Sequence, residues 1–228
     1  MYKKVTAIIL AGGCGKRMGG GVAKQFLTFC GVSVIERSIA AFSLCTDVED
    51  LVIVSREEDL SLISEIAEKY PKIKRICIGG ISRAESAKNG FFACDTDTDI
   101  VAIHDAARCL ITPEMISKVI KTAVNCGAAT AATPVFDTLK RVNNEGVIVE
   151  TVNREGLWSA QTPQVFSYGV YKEAIEKYYD ENATDDNSLV EHLGIPIKMV
   201  DTGKDNIKIT VSDDLILAQY IINKREKN

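Results

Sequence analysis

Short apolar runs alternate with amphipathic segments along nearly the whole chain. The runs at 5–11 (VTAIILA), 51–55 (LVIVS), 73–79 (IKRICIG), 99–105 (DIVAIHD) and 128–135 (AATAATPV) have the length of strands and are apolar on both faces. Such strands belong in a sheet that helices cover on either side. The segments between them carry helix-start signals. Ser33 with Glu36, Ser55 with Glu58 and Ser82 with Glu85 have the capping-box spacing, and Thr112-Pro113 joins a cap to a first-turn proline. Because these signals recur near the ends of strand-like runs, the pattern predicts an α/β domain with a mainly parallel sheet and helices on both faces.

Residues 137–153 break the alternation. They read as two extended arms around a turn at NNEG, an inserted β-hairpin that with its return spans 137–157. A helix over 168–181, a short helix from about Asp185, strands near 197–200 and 207–211, and a last helix opened by Ser212 with Asp213 and Asp214 complete the reading. No repeat or linker interrupts the pattern, so 1–228 reads as one domain with an arm. A lone two-stranded ribbon is marginal in water, which itself argues that the arm has a partner.

Composition adds two restrictions. A 228-residue chain with 46% hydrophobic and 25% charged residues is an ordinary soluble domain. Its net charge of -4 argues against nucleic acid as a partner. The charge is unevenly spread, however: Lys3, Lys4, Lys16, Arg17 and Lys24 precede the first acid, Glu36. A local cationic field in an acidic chain suits a small anionic ligand. The seven cysteines form no CxxC pair, so neither a disulfide framework nor a zinc site is expected, and reduced thiols fit a cytoplasmic setting. The apolar run at 5–11 is at the short limit for an export signal, and no run approaches a membrane span of about 18 apolar residues.

The chemistry concentrates in LAGGCGKRMGGGVAKQ, residues 10–25. A dinucleotide fingerprint needs G-x-G-x-x-G, but Met18 stands where the third glycine belongs. A Walker loop needs Ser or Thr after Gly-Lys, and Arg17 follows Lys16. What remains is a strand, a glycine-rich turn and cations. Glycines let successive backbone N–H groups line one concavity, and Lys16, Arg17 and Lys24 add fixed charge. Ligands of open α/β sheets bind at this end of the strands.

The same run resembles the A-[AG]-G-x-G-x-R-[ML] and K-Q signature of cytidylyltransferases acting on sugar or polyol phosphates. Five further motifs follow in order: GGISRAES (79–86), IHDAAR (103–108), DTLKR (137–141), NREGLWSAQTPQ (153–164) and DNIKIT (205–210). Together they are most similar to the 2-C-methyl-D-erythritol 4-phosphate cytidylyltransferases. The ribitol 5-phosphate cytidylyltransferases are the second resemblance. Ala23 and Cys109 depart from the family, which usually has proline at both positions. Losing a proline relaxes a loop without removing a chemical group.

The resemblance implies a Rossmann-like fold of the nucleotide-diphospho-sugar transferase type. It also implies transfer of CMP from CTP to a polyol phosphate, with Mg²⁺ or another divalent cation as cofactor. Residue by residue, it assigns Arg17, Lys24 and Lys16 to catalysis. Ala11, Gly12, Gly13, Cys14, Gly15, Gly80, Arg83 and Ser86 go to nucleotide binding, and Asp105 to the metal. Thr138, Arg154 and Lys208 hold the acceptor phosphate, and the hairpin makes a homodimer in which Thr138 and Arg154 serve the partner's site. His104, one residue before Asp105, should face the opposite side of its strand and pack rather than act as a base. Arg108 either assists the phosphates or braces its loop, and Trp158 is expected to pack.

Overall fold

The computed structural model describes residues 3–12 and 23–227. Seven strands form its central sheet: β1 (Val5–Leu10), β4 (Asp50–Ser55), β5 (Ile73–Ile78), β6 (Ile100–Asp105), β7 (Ala128–Pro134), β10 (Trp158–Ser167) and β11 (Lys198–Asp201). Two small ribbons stand apart, β2 (Thr28–Phe29) with β3 (Val32–Ser33) and β8 (Leu139–Val142) with β9 (Ile148–Val152). The helices are α1 (Val34–Leu44), α2 (Leu60–Ala67), α3 (Arg83–Phe92), α4 (Pro113–Cys126), α5 (Tyr168–Tyr178), α6 (Asn187–Glu191) and α7 (Asp213–Arg225). Sheet order is β11-β7-β10-β6-β1-β4-β5.

Apolar residues on successive positions of one strand go to opposite faces, as the two-residue period requires. Val5, Ala7 and Ile9 of β1 pack with Ile35, Ile39 and Phe42 of α1 and with Ile116, Val119 and Ile120 of α4. Ile8 and Leu10 pack on the other face with Phe91 of α3, Tyr171 and Ile175 of α5, and Leu189 of α6. The α3 helix lies so close that a Cβ on Gly90 would meet Ile8 and come within 2.7 Å of Val54. Glycine there lets the helix approach the sheet.

Three of the expected helix starts form as read. Ser33 and Ser82 accept from the backbone N–H groups of Glu36 and Glu85, and Thr112 accepts from Met115 ahead of Pro113. Ser55 does not cap. A 3-10 turn at Glu57–Asp59 intervenes, and Asp59 is taken up by Arg56 and Gln25. Ser212 does not cap either; the Asp214 carboxylate accepts from the N–H groups of Thr210 and Val211 instead.

Three strand expectations change. β5 is not apolar on both faces, because it is the sheet's edge. Lys74 and Arg75 are exposed there, and charge on an edge discourages pairing with another chain. Residues 207–211 are extended but pair with no strand. Ile207 and Ile209 pack under α7 instead, and Ile209 donates its N–H to Ala107 at 2.8 Å. β10 is a full strand that the apolar pattern does not mark. It also runs antiparallel to both β6 and β7 in an otherwise parallel sheet. Its register slips between Ala160 and Gln164, around a cis Thr162–Pro163 bond.

The hairpin forms as expected, with β8 antiparallel to β9. Asn143 closes its turn by accepting from Glu145 and Val147, and Gly146 supplies a φ of +78°. Nearly all of the ribbon is exposed, including Val142, Ile148 and Val149.

Candidate active site

A cavity of about 270 Å³ opens at the carboxyl ends of β1 and β6. Ala11 and Gly12 form its floor beyond β1, and Gly80, Arg83 and Ser86 form the α3 wall. Lys24 and Lys208 line it from the other side, and Asp105 ends β6 within it. The structure therefore brings together eight of the residues singled out from the sequence. Gly13, Cys14, Gly15, Lys16 and Arg17 lie outside the described residues. Thr138 and Arg154 are exposed on the arm and do not line this cavity, and Arg154 donates to the Phe136 carbonyl.

The α3 wall is built from its own cap. Ser86 Oγ accepts from Gly80 N at 3.1 Å and donates to the Ser82 carbonyl at 2.9 Å. Glu85 turns back to accept from Ile81 N at 2.8 Å. A Cβ on Gly80 would run into the Glu85 side chain held in that position, so a larger residue there would push Glu85 off its hydrogen bond to Ile81. The backbone at 79–81 is thereby fixed along the cavity rim.

Asp105 carries the site's electrostatics. Its Oδ1 meets Arg83 Nε at 3.0 Å and its Oδ2 meets Lys208 Nζ at 2.6 Å. Burial by itself would raise this carboxyl, but the Arg83 and Lys208 cations outweigh burial and hold it well below the usual carboxylate range. The same balance appears on Arg83. Burial pulls it down, yet Asp186 and Asp105 hold it above its ordinary value. Asp186 offsets the second charge of this cluster from behind the wall, but the cavity's described lining itself carries three cations, Lys24, Arg83 and Lys208, against the one acid Asp105, in keeping with an anionic ligand.

Several buried polar contacts support this arrangement. Asp105 N donates to Thr162 Oγ1 at 3.0 Å, and Thr162 Oγ1 shares a 3.0 Å hydrogen bond with His104 Nδ1. His104 is fully buried beside the Phe42 ring, and burial pushes its imidazole down to about 3. It is neutral near neutral pH and packed away from the cavity, so it offers no base there. Lys208 is delivered by the unpaired extended segment after β11. Asn206 anchors that segment by donating to Gln161 Oε1 at 2.9 Å and to the Thr162 carbonyl at 3.0 Å. Arg108 braces the same segment through the Asn206 carbonyl at 3.0 Å, and Lys24 Nζ donates to the Ile209 carbonyl at 3.2 Å.

Sequence reasoning missed Asp186, which meets Arg83 Nη1 at 2.8 Å, and Thr162 as the prop behind Asp105. The acids at 185–186 read only as the opening of a short helix, and nothing local marks one of them as buried.

No group of three or more His, Cys, Asp or Glu able to hold a metal occurs among the described residues. Asp105 is the single carboxylate on the cavity's described lining. Each of its oxygens has one cationic partner and retains acceptor capacity. That donor set fits Mg²⁺, which keeps most of its waters and binds through one or two carboxylates together with substrate phosphates.

Comparison with known proteins agrees with this geometry. A family model described as 2-C-methyl-D-erythritol 4-phosphate cytidylyltransferase matches residues 5–224. A protein of that description from Desulforamulus reducens is 39% identical over 226 residues, covering 97% of each chain. One from Alkaliphilus metalliredigens is 38% identical over 229 residues, covering 98% of this chain and 95% of the relative. The crystal structure of 4-diphosphocytidyl-2C-methyl-D-erythritol synthase from Anaerococcus prevotii superposes with a TM-score of 0.86 at 30% identity, covering 97% of each chain. With the glycine run, the α3 wall and the Asp105 cluster all lying within the matched span, the chain belongs to the 2-C-methyl-D-erythritol 4-phosphate cytidylyltransferase family.

Proposed function

We propose that this enzyme transfers CMP from CTP to 2-C-methyl-D-erythritol 4-phosphate, giving the CDP-alcohol and pyrophosphate for isoprenoid precursor synthesis. An oxygen of the acceptor phosphate forms a bond to the α-phosphorus of CTP. The bond from that phosphorus to the bridging oxygen breaks, and pyrophosphate leaves with its electron pair. Because an anion attacks an anion, the protein's work is alignment and charge stabilisation. The attacking phosphate is already ionised and needs no general base.

The observation that carries this reading is the cationic cluster around Asp105, which lines a cavity together with Lys24 and the glycine backbone. In it, Gly80, Arg83 and Ser86 frame the nucleotide, while Ala11, Gly12 and the glycines that follow bring backbone donors to the triphosphate. Lys24, with Lys16 and Arg17, stabilises charge on the phosphoryl oxygens. A guanidinium fork can bridge two oxygens where an ammonium offers a point charge, so Arg17 and Lys24 are not interchangeable. Asp105 would hold Mg²⁺, which when bound neutralises charge shared by the phosphates. Lys208, 2.6 Å from Asp105, would meet the acceptor phosphate.

Thr138 and Arg154 complete the acceptor site of a second copy, with the arm as the dimer contact. The exposed apolar residues Val142, Val147, Ile148 and Val149 on an unsupported ribbon favour this arrangement. No helix among the described residues is long and apolar enough to cross a membrane. The six described cysteines are free, in keeping with a cytoplasmic enzyme. Ribitol 5-phosphate is not favoured as acceptor, since the family model and the relatives reported above all carry the methylerythritol description.

A pyrophosphate-release assay with CTP and Mg²⁺, comparing the two polyol phosphates, tests the reading. The expected result is higher kcat/KM with the methylerythritol phosphate. Equal or higher kcat/KM with ribitol 5-phosphate overturns the acceptor, and no release with either overturns the reaction.

A further inference from the structure

Arg83 opens α3 and divides its guanidinium between two acids. Nε lies 3.0 Å from Asp105 Oδ1 and Nη1 lies 2.8 Å from Asp186 Oδ2. Nη2 is buried and has no hydrogen-bond partner among the described residues. Asp186 itself does not line the cavity. Its side chain is 2% exposed, a burial that strongly disfavours a carboxylate unless it is paired and hydrogen-bonded.

The pairing is thorough. Tyr171 donates its phenol O–H to Asp186 Oδ1 at 2.5 Å, and Asp186 N donates to Gln164 Oε1 at 2.8 Å. Gln164 in turn donates to Asp185 Oδ2 at 3.0 Å, and Asp185 Oδ1 accepts from Ser188 N, which fixes the start of α6. The Tyr171 ring cannot swing away. It stacks on Phe166 with centroids 5.3 Å apart and meets Phe91 edge-on at 5.2 Å. Asp186 is therefore a rigid acid aimed at one arginine from behind the cavity wall.

We propose that Asp186, held by Tyr171, is a positioning residue for nucleotide binding: it fixes Arg83 on the cavity wall so that Asp105 is shared with Lys208. This inference rests on the CTP reading of the cavity. Without the Asp186 carboxylate, the whole Arg83 charge falls on Asp105. A guanidinium prefers two parallel hydrogen bonds to one carboxylate. The fork would then turn to grip both Asp105 oxygens, displacing Lys208 and blocking the acceptor capacity of Asp105 that a magnesium-bound triphosphate needs.

Two variants test this, Asp186→Asn, which keeps shape and loses charge, and Tyr171→Phe, which loses one hydrogen bond. CTP binding in the presence of Mg²⁺ is read by calorimetry, KM and kcat by pyrophosphate release, and the Arg83 position by a crystal structure of D186N. Supporting outcomes are a CTP Kd and KM raised by about 10–100-fold in D186N with kcat changed much less, a smaller rise in Y171F, and a displaced guanidinium. Unchanged Kd and KM in D186N overturn the inference even where its Tm falls, since that is a purely structural role. Should D186N not fold, unchanged Kd and KM in Y171F overturn it. If the wild-type protein binds no CTP, the reading of the cavity fails separately. The position of Arg83 in D186N then decides, and an unmoved guanidinium overturns the inference.

Discussion

Two ion clusters sit at opposite ends of the same strands. At the entry to β1, Lys4 Nζ meets Asp50 at 2.9 Å and Asp97 at 2.8 Å, and Lys4 N donates to Asp99 at 2.8 Å. At the exit of β6, Asp105 meets Arg83 and Lys208. The first has one cation among several acids, close contacts throughout, and no member on the cavity's lining. It ties the starts of β1, β4 and β6 together. The second stands on a cavity whose described lining sets Lys24, Arg83 and Lys208 against the single acid Asp105, with Asp186 pairing Arg83 from behind. An ion cluster by itself says little about function. Excess charge of one sign facing open volume says much more.

Altering each end in turn can break that contrast. The largest effect is expected at the exit. Lys208→Ala or Asp105→Asn should lower kcat/KM by about 10²–10³, as loss of one preorganised charge-stabilising group does, and Arg17→Ala and Lys24→Ala should do the same to kcat. Near-full turnover by any of these variants removes that residue from the machinery. At the entry, Lys4→Met should leave kcat/KM within about twofold. It should lower unfolding stability by about 1–3 kcal/mol, because Asp50, 5% exposed, loses its cation. Denaturant melts and turnover measured on the same sample separate the two effects. A Lys4 variant that is stable but inactive would erase the distinction.

A subtler effect lies one residue from Asp105. His104 has a folded value of about 3 because burial disfavours its charged form, against an ordinary value near 6.5. Between those values the unfolded chain binds a proton that the folded chain does not, so stability falls as pH drops from about 6.5 toward 3. From this one group the slope is at most about 1.4 kcal/mol per pH unit. His104→Gln should flatten that part of a Tm-against-pH curve, and an unchanged curve counts against a buried neutral imidazole. The smallest effect is expected from Ile148→Ala on the arm. A side chain 60% exposed in the single copy should matter only to self-association, which light scattering over a dilution series reads. A loss of stability that does not depend on concentration would mean the arm packs on its own chain.

The sequence announces the parallel part of the fold well, because strands buried on both faces and helices with side-chain caps are local patterns. It says little about β10. Gln161, Thr162 and Gln164 look like loop residues, yet all are buried, since their partners Asn206, Thr202 and Asp186 come from far along the chain. The same holds for the candidate site. Glycines, cations and Ser86 cluster visibly around recognisable caps, and Asp105 sits at a strand's end. Asp186 shows itself only once α5 and α6 bring it beneath Arg83. The 207–211 segment misleads in the opposite direction: alternating Ile207, Lys208 and Ile209 look like a strand, but their apolar side serves α7.

The reversed strand has a consequence for how this enzyme can vary. Because β10 opposes β7, the chain leaves one and enters the other at the same edge, where Trp158 pairs with Pro134 and Val135 N donates to the Leu157 carbonyl at 3.0 Å. Everything between those roots is a detour stitched shut at its base. Its length and side chains can be exchanged without moving a single rung of the sheet, so the arm can be remade while the cavity at the ends of β1 and β6 stays untouched.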